Sequence, residues 1–192
     1  MKKEKLSNLV SDPLSNFDLD DLLKDVNETL EESKQKINIF TPKQMESDPA
    51  KFKKKFNENG YCILFLNPDN LQVGHWVIMF KNPSGTYFFD SYGSHPKYLD
   101  AKLFKFLIKH YPKIIYNTFQ YQKYSSSIAT CGRWSMFVLA MNKLVTDLNV
   151  DILHAVLKSF KKQYKNKSYD QIVASFVNDC DKIIAGFANL DI

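Results

Sequence analysis

Three residues of this chain could do chemistry together. His75 stands in Gly74-His75-Trp76-Val77-Ile78-Met79-Phe80, Asp90 in Tyr87-Phe88-Phe89-Asp90-Ser91-Tyr92-Gly93, and Cys131 in Thr130-Cys131-Gly132-Arg133-Trp134. A free thiol has a pKa near about 8.5, so only a few per cent is nucleophilic thiolate at neutral pH. A helix N-terminus and a neighbouring imidazole both favour the thiolate. Cys131 opens an apolar run that reads as a helix, after a loop of small polar residues. A lone cysteine on an apolar helix is usually an inert core residue. The serine-rich loop and the Cys-Gly pair at the helix start favour a nucleophile here.

His75 and Asp90 lie fifteen residues apart, one hairpin's length. Adjacent antiparallel strands can bring an imidazole and a carboxylate within hydrogen-bond reach. The carboxylate would then fix the tautomer and stabilise the imidazolium. Singly, His75 reads as a strand histidine and Asp90 as a turn residue; with Cys131 downstream they read as a catalytic set. Acyl transfer also needs N–H donors aimed at the developing oxyanion. The Cys131 backbone amide is one. Gln122 is the expected side-chain donor, with Gln120 as the alternative. Gly132 leaves room for a substrate backbone to approach.

These groups need elements to hold them. Residues 1 to 14 read as a polar tail. Apolar positions from Phe17 to Leu30 recur at helical spacing over Asn16 to Lys36, with Asp18, Asp20 and Asp21 in the first turn, where the helix dipole favours negative charge. A second helix is expected from Pro42 to Asn57, ended by Asn59-Gly60. Tyr61 to Leu66, Trp76 to Phe80 and Tyr87 to Phe89 are short aromatic and β-branched runs, separated by Asn67-Pro68-Asp69-Asn70 and Asn82-Pro83-Ser84-Gly85. The last two runs form a hairpin, with His75 entering one strand and Asp90 leaving the other. Leu99 to Tyr111 reads as an amphipathic helix stopped by Pro112, and Ile114 to Tyr121 as a further strand. Helices are expected over Cys131 to Leu148, Asp151 to Tyr164 and Ser168 to Phe187. The whole is one compact domain: residues 1–60 a helical extension packed on a core of residues 61–192.

Composition narrows the class. Hydrophobic content of 44% is globular, and no apolar run reaches the roughly 18 to 20 residues of a membrane span. Met1-Lys2-Lys3-Glu4-Lys5-Leu6 has no apolar stretch behind it, so a secretory signal is not expected. Cys62, Cys131 and Cys180 are odd in number and widely spaced, which argues for a reducing compartment and against both a disulfide framework and a zinc site. The net charge of +5 rests on lysine, clustered at Lys51 to Lys55 and Lys158 to Lys167. Such clusters could hold a polyanion, although a solvated face is the plainer reading. Arg133, the single arginine, lies two residues past the nucleophile.

GHWVIMF, then YFFDSYG, then a glutamine-bearing segment, then TCGRW together resemble the adenovirus-protease and SUMO-protease superfamily of cysteine peptidases. Within it the chain looks most like maturation proteases of mavirus-type virophages and of polinton-like or giant DNA viruses. The likeness covers about Tyr61 to Leu148. It implies an α+β fold with a papain-like core, a small mixed sheet flanked by helices, and the order His, Asp, Gln, Cys. It also implies that His75 is the general base, Asp90 its orienting acid, Cys131 the nucleophile and Gln122 the oxyanion donor. Trp76 would pack beside the site. One departure is clear: the family glutamine precedes its cysteine by about six or seven residues, and Gln122 precedes Cys131 by nine.

By the same resemblance the substrates would be viral capsid or other structural precursors, cut after a small residue such as glycine, in the virion and the host cytoplasm. No cofactor or metal is expected, although adenoviral relatives admit a DNA or peptide activator, and the lysine clusters could bind DNA. No membrane partner is expected. Three alternatives stand beside this reading. One is an isopeptidase removing SUMO or ubiquitin, and another an acetyltransferase using the same residues on a coenzyme A donor. The third is a non-catalytic DNA- or capsid-binding protein.

Overall fold

The computed structural model describes residues 10–14, 16–29, 37–66 and 74–178. The expected turn at residues 67–70, the helical stretch from Leu30 to Lys36, Cys180 and the chain beyond residue 178 lie outside them. The elements in chain order are α1 (Asn16–Thr29), β1 (Ile39–Phe40), α2 (Pro42–Ser47), α3 (Pro49–Asn59), β2 (Tyr61–Leu66), β3 (His75–Asn82), β4 (Gly85–Phe89), α4 (Pro96–Leu99), α5 (Ala101–His110), β5 (Ile115–Tyr116), α6 (Cys131–Leu144), α7 (Val150–Gln163) and α8 (Tyr169–Val177).

The fold is α+β, and its strands form one mixed parallel and antiparallel sheet in the order β1-β2-β3-β4-β5. β2 and β3 pair antiparallel from Tyr61↔Phe80 to Leu66↔His75. β3 and β4 pair antiparallel from Ile78↔Phe89 to Asn82↔Gly85, while β1 and β5 add parallel edges. The hairpin register follows from the short turn, where Asn82 Oδ1 accepts from the Ser84 N–H at 3.0 Å. That turn puts the start of β3 next to the end of β4, the two places from which His75 and Asp90 project.

Both faces of the sheet are covered, which explains why its central strands are apolar throughout rather than alternating. Trp76, Ile78, Phe80 and Phe89 face one core, closed by α1, α6, α7 and α8. Val77, Met79 and Phe88 face the other, closed by Phe52 and Phe56 of α3 and Leu103 and Phe106 of α5. α6 is buried at every position from Gly132 to Met141, so it is a central helix rather than an amphipathic surface one. Its first residue is Cys131. The fold therefore brings the thiol to the sheet end where β3 begins.

Several elements differ from expectation, each for a local reason. The helix expected over Pro42 to Asn57 is two helices, broken at Asp48-Pro49, where Asp48 caps α3 by accepting from Lys51 N–H at 2.9 Å. The strand expected over Ile114 to Tyr121 stops at Tyr116, because Asn117 turns in to bind the backbone of Asp90. Residues before Tyr61 supply a strand as well as helices. The segment expected to be a polar tail ends in packed chain: Val10 is buried, and Ala129 N–H donates to its carbonyl at 2.8 Å.

Candidate active site

His75 is the first residue of β3 and is half-buried. Its Nε2–H donates to Asp90 Oδ1 at 2.5 Å. Cys131 lies near enough for its side chain to act on the ring, and with Nε2 engaged by Asp90, Nδ1 is the nitrogen left to face it. Burial works against the imidazolium, but Asp90, with a smaller influence from Cys131, outweighs it and pushes His75 up to about 9. At neutral pH the ring is therefore held as a cation beside the buried Asp90 carboxylate, the state in which an imidazolium can favour a neighbouring thiolate.

Asp90 is fully buried, and everything around it is a donor or a clamp. Its carboxylate accepts from Ser94 N–H at 2.8 Å and Tyr92 N–H at 3.3 Å, besides His75. Asn117 holds its backbone from both sides, with Asp90 N–H donating to Oδ1 at 2.9 Å and Nδ2 donating to the Asp90 carbonyl at 2.7 Å. Gly93 makes this tight turn feasible. Its φ is +69°, and a Cβ there would lie 2.7 Å from the Phe119 backbone, so only glycine fits.

Cys131 is half-buried at the first position of α6. The preceding residue, Thr130, does not cap the helix with its hydroxyl, which donates instead to Asp170 Oδ1. Asp170 lies in the first turn of α8 and is 1% exposed. It also accepts from Trp134 Nε1 at 3.1 Å and from Lys123 N–H at 3.1 Å. One buried carboxylate thus ties together the start of the cysteine helix, its first inward-facing tryptophan and the chain next to Gln122. Nothing in the local sequence around Asp170 singles it out.

Gln122 is 1% exposed. Its Oε1 accepts from Ser91 Oγ at 2.7 Å and its Nε2 donates to the Tyr92 hydroxyl at 3.0 Å. Gln120, the alternative donor, is exposed, and its amide donates to the Gln122 carbonyl. Trp76 is buried against Phe65, with ring centroids 4.4 Å apart, and its Nε1 donates to the Leu14 carbonyl at 3.1 Å. The space beside Gly132 is not open: a Cβ there would lie 3.1 Å from Leu14 Cβ and 3.4 Å from Trp76 Cδ1. Arg133 turns away to donate to the Asp12 carbonyl at 2.7 Å. Residues 10–14 are therefore a packed wall over Trp76 and the first turn of α6.

Sequence reasoning missed Asn117, Tyr92, Leu14 and Asp170. Only the Tyr92 position, two residues after the acid, carried a sequence signal. Cys62, in contrast, is buried, and burial pushes its thiol well up, away from reactivity. Among the described residues no group of three or more His, Cys, Asp or Glu side chains converges as a metal-ligand set, and no helix is long and apolar enough to cross a membrane.

No family model matches the chain. It is 32% identical over 101 residues to the uncharacterized protein V9 of Sputnik virophage, a match covering 44% of this chain and 57% of that protein. The chain is also similar to the solved structure of ChlaDub1 from Chlamydia trachomatis, at 15% identity and a TM-score of 0.34, over 94% of this chain and 81% of the other.

Proposed function

We propose that the chain is a viral cysteine endopeptidase, with the papain-like α+β core of the adenovirus and SUMO proteases, that cuts capsid or other structural precursors during particle maturation. The observation that carries this reading is His75, bonded through Nε2 to the buried Asp90, beside a thiol at the first position of a buried helix that acts on the same ring. Likeness to a virophage protein supports the viral setting.

The reaction begins with the Cys131 thiolate adding to the scissile carbonyl. The π pair moves onto oxygen, which the Cys131 backbone N–H meets. On collapse the C–N bond breaks, and His75 gives its proton to the leaving amine. A thioester remains. His75, now neutral, takes a proton from water, whose oxygen adds to the thioester carbonyl; the C–S bond then breaks, releasing the carboxylic acid product and restoring the Cys131 thiolate beside a protonated His75. Asp90 holds the ring in the tautomer that leaves Nδ1 facing sulfur throughout. Leu14 and Trp76 fill the space over Gly132, so a substrate backbone would have to reach Cys131 from another side.

The test is incubation with the capsid proteins of the parent virus, followed by mass spectrometry of new termini. New termini after small residues, absent with Cys131→Ala, are expected. Intact capsid proteins together with cleavage of SUMO or ubiquitin adducts would replace the maturation role with the isopeptidase one. Loss of neither substrate would remove the peptidase reading.

A further inference from the structure

Gln122 faces a difficulty as a direct oxyanion donor. A substrate oxygen cannot touch an amide that solvent cannot reach, and Gln122 is 1% exposed. Its carbonyl oxygen is engaged by Ser91, and its amide donates to the Tyr92 hydroxyl at 3.0 Å. Tyr92, in contrast, is only partly buried. Its ring lies against His75 with centroids 5.1 Å apart, and Tyr124 stacks on it at 4.4 Å with planes 6° apart. Its backbone N–H is bound to Asp90. Backbone, ring and hydroxyl are each held.

The direction of the phenolic proton follows from this network. A tyrosine hydroxyl has one proton to donate and accepts with its oxygen lone pairs. The oxygen accepts from Gln122, and the Gln122 carbonyl already accepts from Ser91. The O–H therefore has to find an acceptor on the open side of the ring. After burial, the charge of Cys131 is the strongest influence on the phenol, which is pushed up to about 12. It stays a donor across the whole range in which a thiolate–imidazolium pair can work.

We propose that the Tyr92 hydroxyl is a direct donor to the oxyanion formed when Cys131 adds to a carbonyl, and that Gln122 is a positioning residue acting through it. This rests on the peptidase reading above. In the addition step the C–S bond forms, the carbonyl π pair becomes an oxygen lone pair, and the phenol keeps its proton while donating a hydrogen bond. The tetrahedral oxygen then has two donors on two elements, the Cys131 N–H on α6 and Tyr92 on the turn after β4. The longer spacing of Gln122 from Cys131 has a physical reason in this arrangement: the amide needs only to reach the tyrosine.

The experiment compares wild type, Tyr92→Phe, Gln122→Ala and the double variant on the coumarin amide of a glycine-terminated peptide, with iodoacetamide alkylation measured in parallel. Phenylalanine keeps the ring contacts with His75 and Tyr124 and removes only the hydroxyl. Tyr92→Phe should lower kcat by about 10²-fold with little change in KM, the loss typical of one oxyanion donor. Gln122→Ala should fall by a similar factor, and the double variant should fall no further, because both changes break one path. Alkylation passes through no oxyanion, so its rate should stay at the wild-type level in Tyr92→Phe; that also shows an intact Cys131–His75 pair. A wild-type kcat in Tyr92→Phe, multiplying losses in the double variant, or an alkylation rate falling in step with hydrolysis would each overturn the proposal. Absence of His75-dependent alkylation and of cleavage in the wild type would remove the peptidase reading itself, and Tyr92's role with it.

Discussion

Asp90 Oδ1 receives the Nε2–H of His75 at 2.5 Å, and no other described carboxylate shares a bond with that ring. The bond does two things at once. It leaves Nδ1 as the ring nitrogen that can face Cys131, and it holds the imidazolium against the cost of burial.

The pH dependence follows from that balance. His75 is raised to about 9 from its ordinary value near 6.5, so the imidazolium and the stability it contributes are fully present below about 6.5 and lost as pH rises through about 9. The rate of peptide cleavage should fall over the same alkaline limb. Asp90→Asn removes the main influence that raises the pKa, so its alkaline limb should move to lower pH, with kcat down by about 10⁴-fold, as for other triads that lose the acid. A pH–rate profile of both proteins checks this; an unmoved limb would take the cationic role away from His75.

Cys131 should be the thiol that small electrophiles find. Iodoacetamide should label it rapidly in the folded protein and leave buried Cys62 untouched until denaturant is added. Peptide mapping by mass spectrometry reads the sites directly. Cys131→Ala should abolish both rapid labelling and cleavage, with the melting temperature preserved. Equal labelling of that variant would point to Cys62 or Cys180.

Asp170→Ala should damage stability and activity together. It strands the Thr130 hydroxyl and the Trp134 indole N–H in a buried site and frees the Lys123 N–H at its part-buried edge. At about 1 kcal/mol or more for each unpaired buried donor, a loss on the order of 3 kcal/mol is expected in urea unfolding. Asp170→Asn keeps an acceptor for part of the set and should recover some of the loss. A stability change under about 0.5 kcal/mol, the range of ordinary surface substitutions, would show that the carboxylate anchors nothing.

Gly132→Ala sets two effects against each other. Alanine is the better helix former by up to about 1 kcal/mol. Its methyl, however, would lie 3.1 Å from Leu14 Cβ and 3.3 Å from Leu14 Cδ1. Overpacking costs about 1 to 3 kcal/mol, so a net destabilisation is expected, with residues 10–14 lifted from α6. Faster limited proteolysis of that segment, alongside a lower melting temperature, checks it. A higher melting temperature would mean that Leu14 yields freely.

The parts of the site that share local pattern were legible in the sequence. His75 and Asp90 are joined by one short hairpin whose turn residues, Asn82 to Gly85, announce themselves, and Cys131 opens a largely apolar helix that is buried from Gly132 to Met141. Where a polar side chain served a distant partner, the pattern misled. Asn117 looks like the middle of a strand but leaves the ladder to hold Asp90. Asp170 looks like a first-turn acid of an ordinary helix, yet it binds groups 36 to 47 residues away. Gln120 and Gln122 are indistinguishable by type and spacing; only the position of Ser91 and Tyr92 separates them. Tertiary hydrogen bonds leave no period in a sequence, and these are the ones that tune the site.

Asp170 also sets an order of events during synthesis. It comes about forty residues after Cys131, so the thiol leaves the ribosome well before the carboxylate that fastens its helix. A nascent chain ending short of α8 has the sulfur but not the anchor. Until then the Thr130 hydroxyl and the Trp134 indole N–H lack the acceptor that pins them in the finished fold.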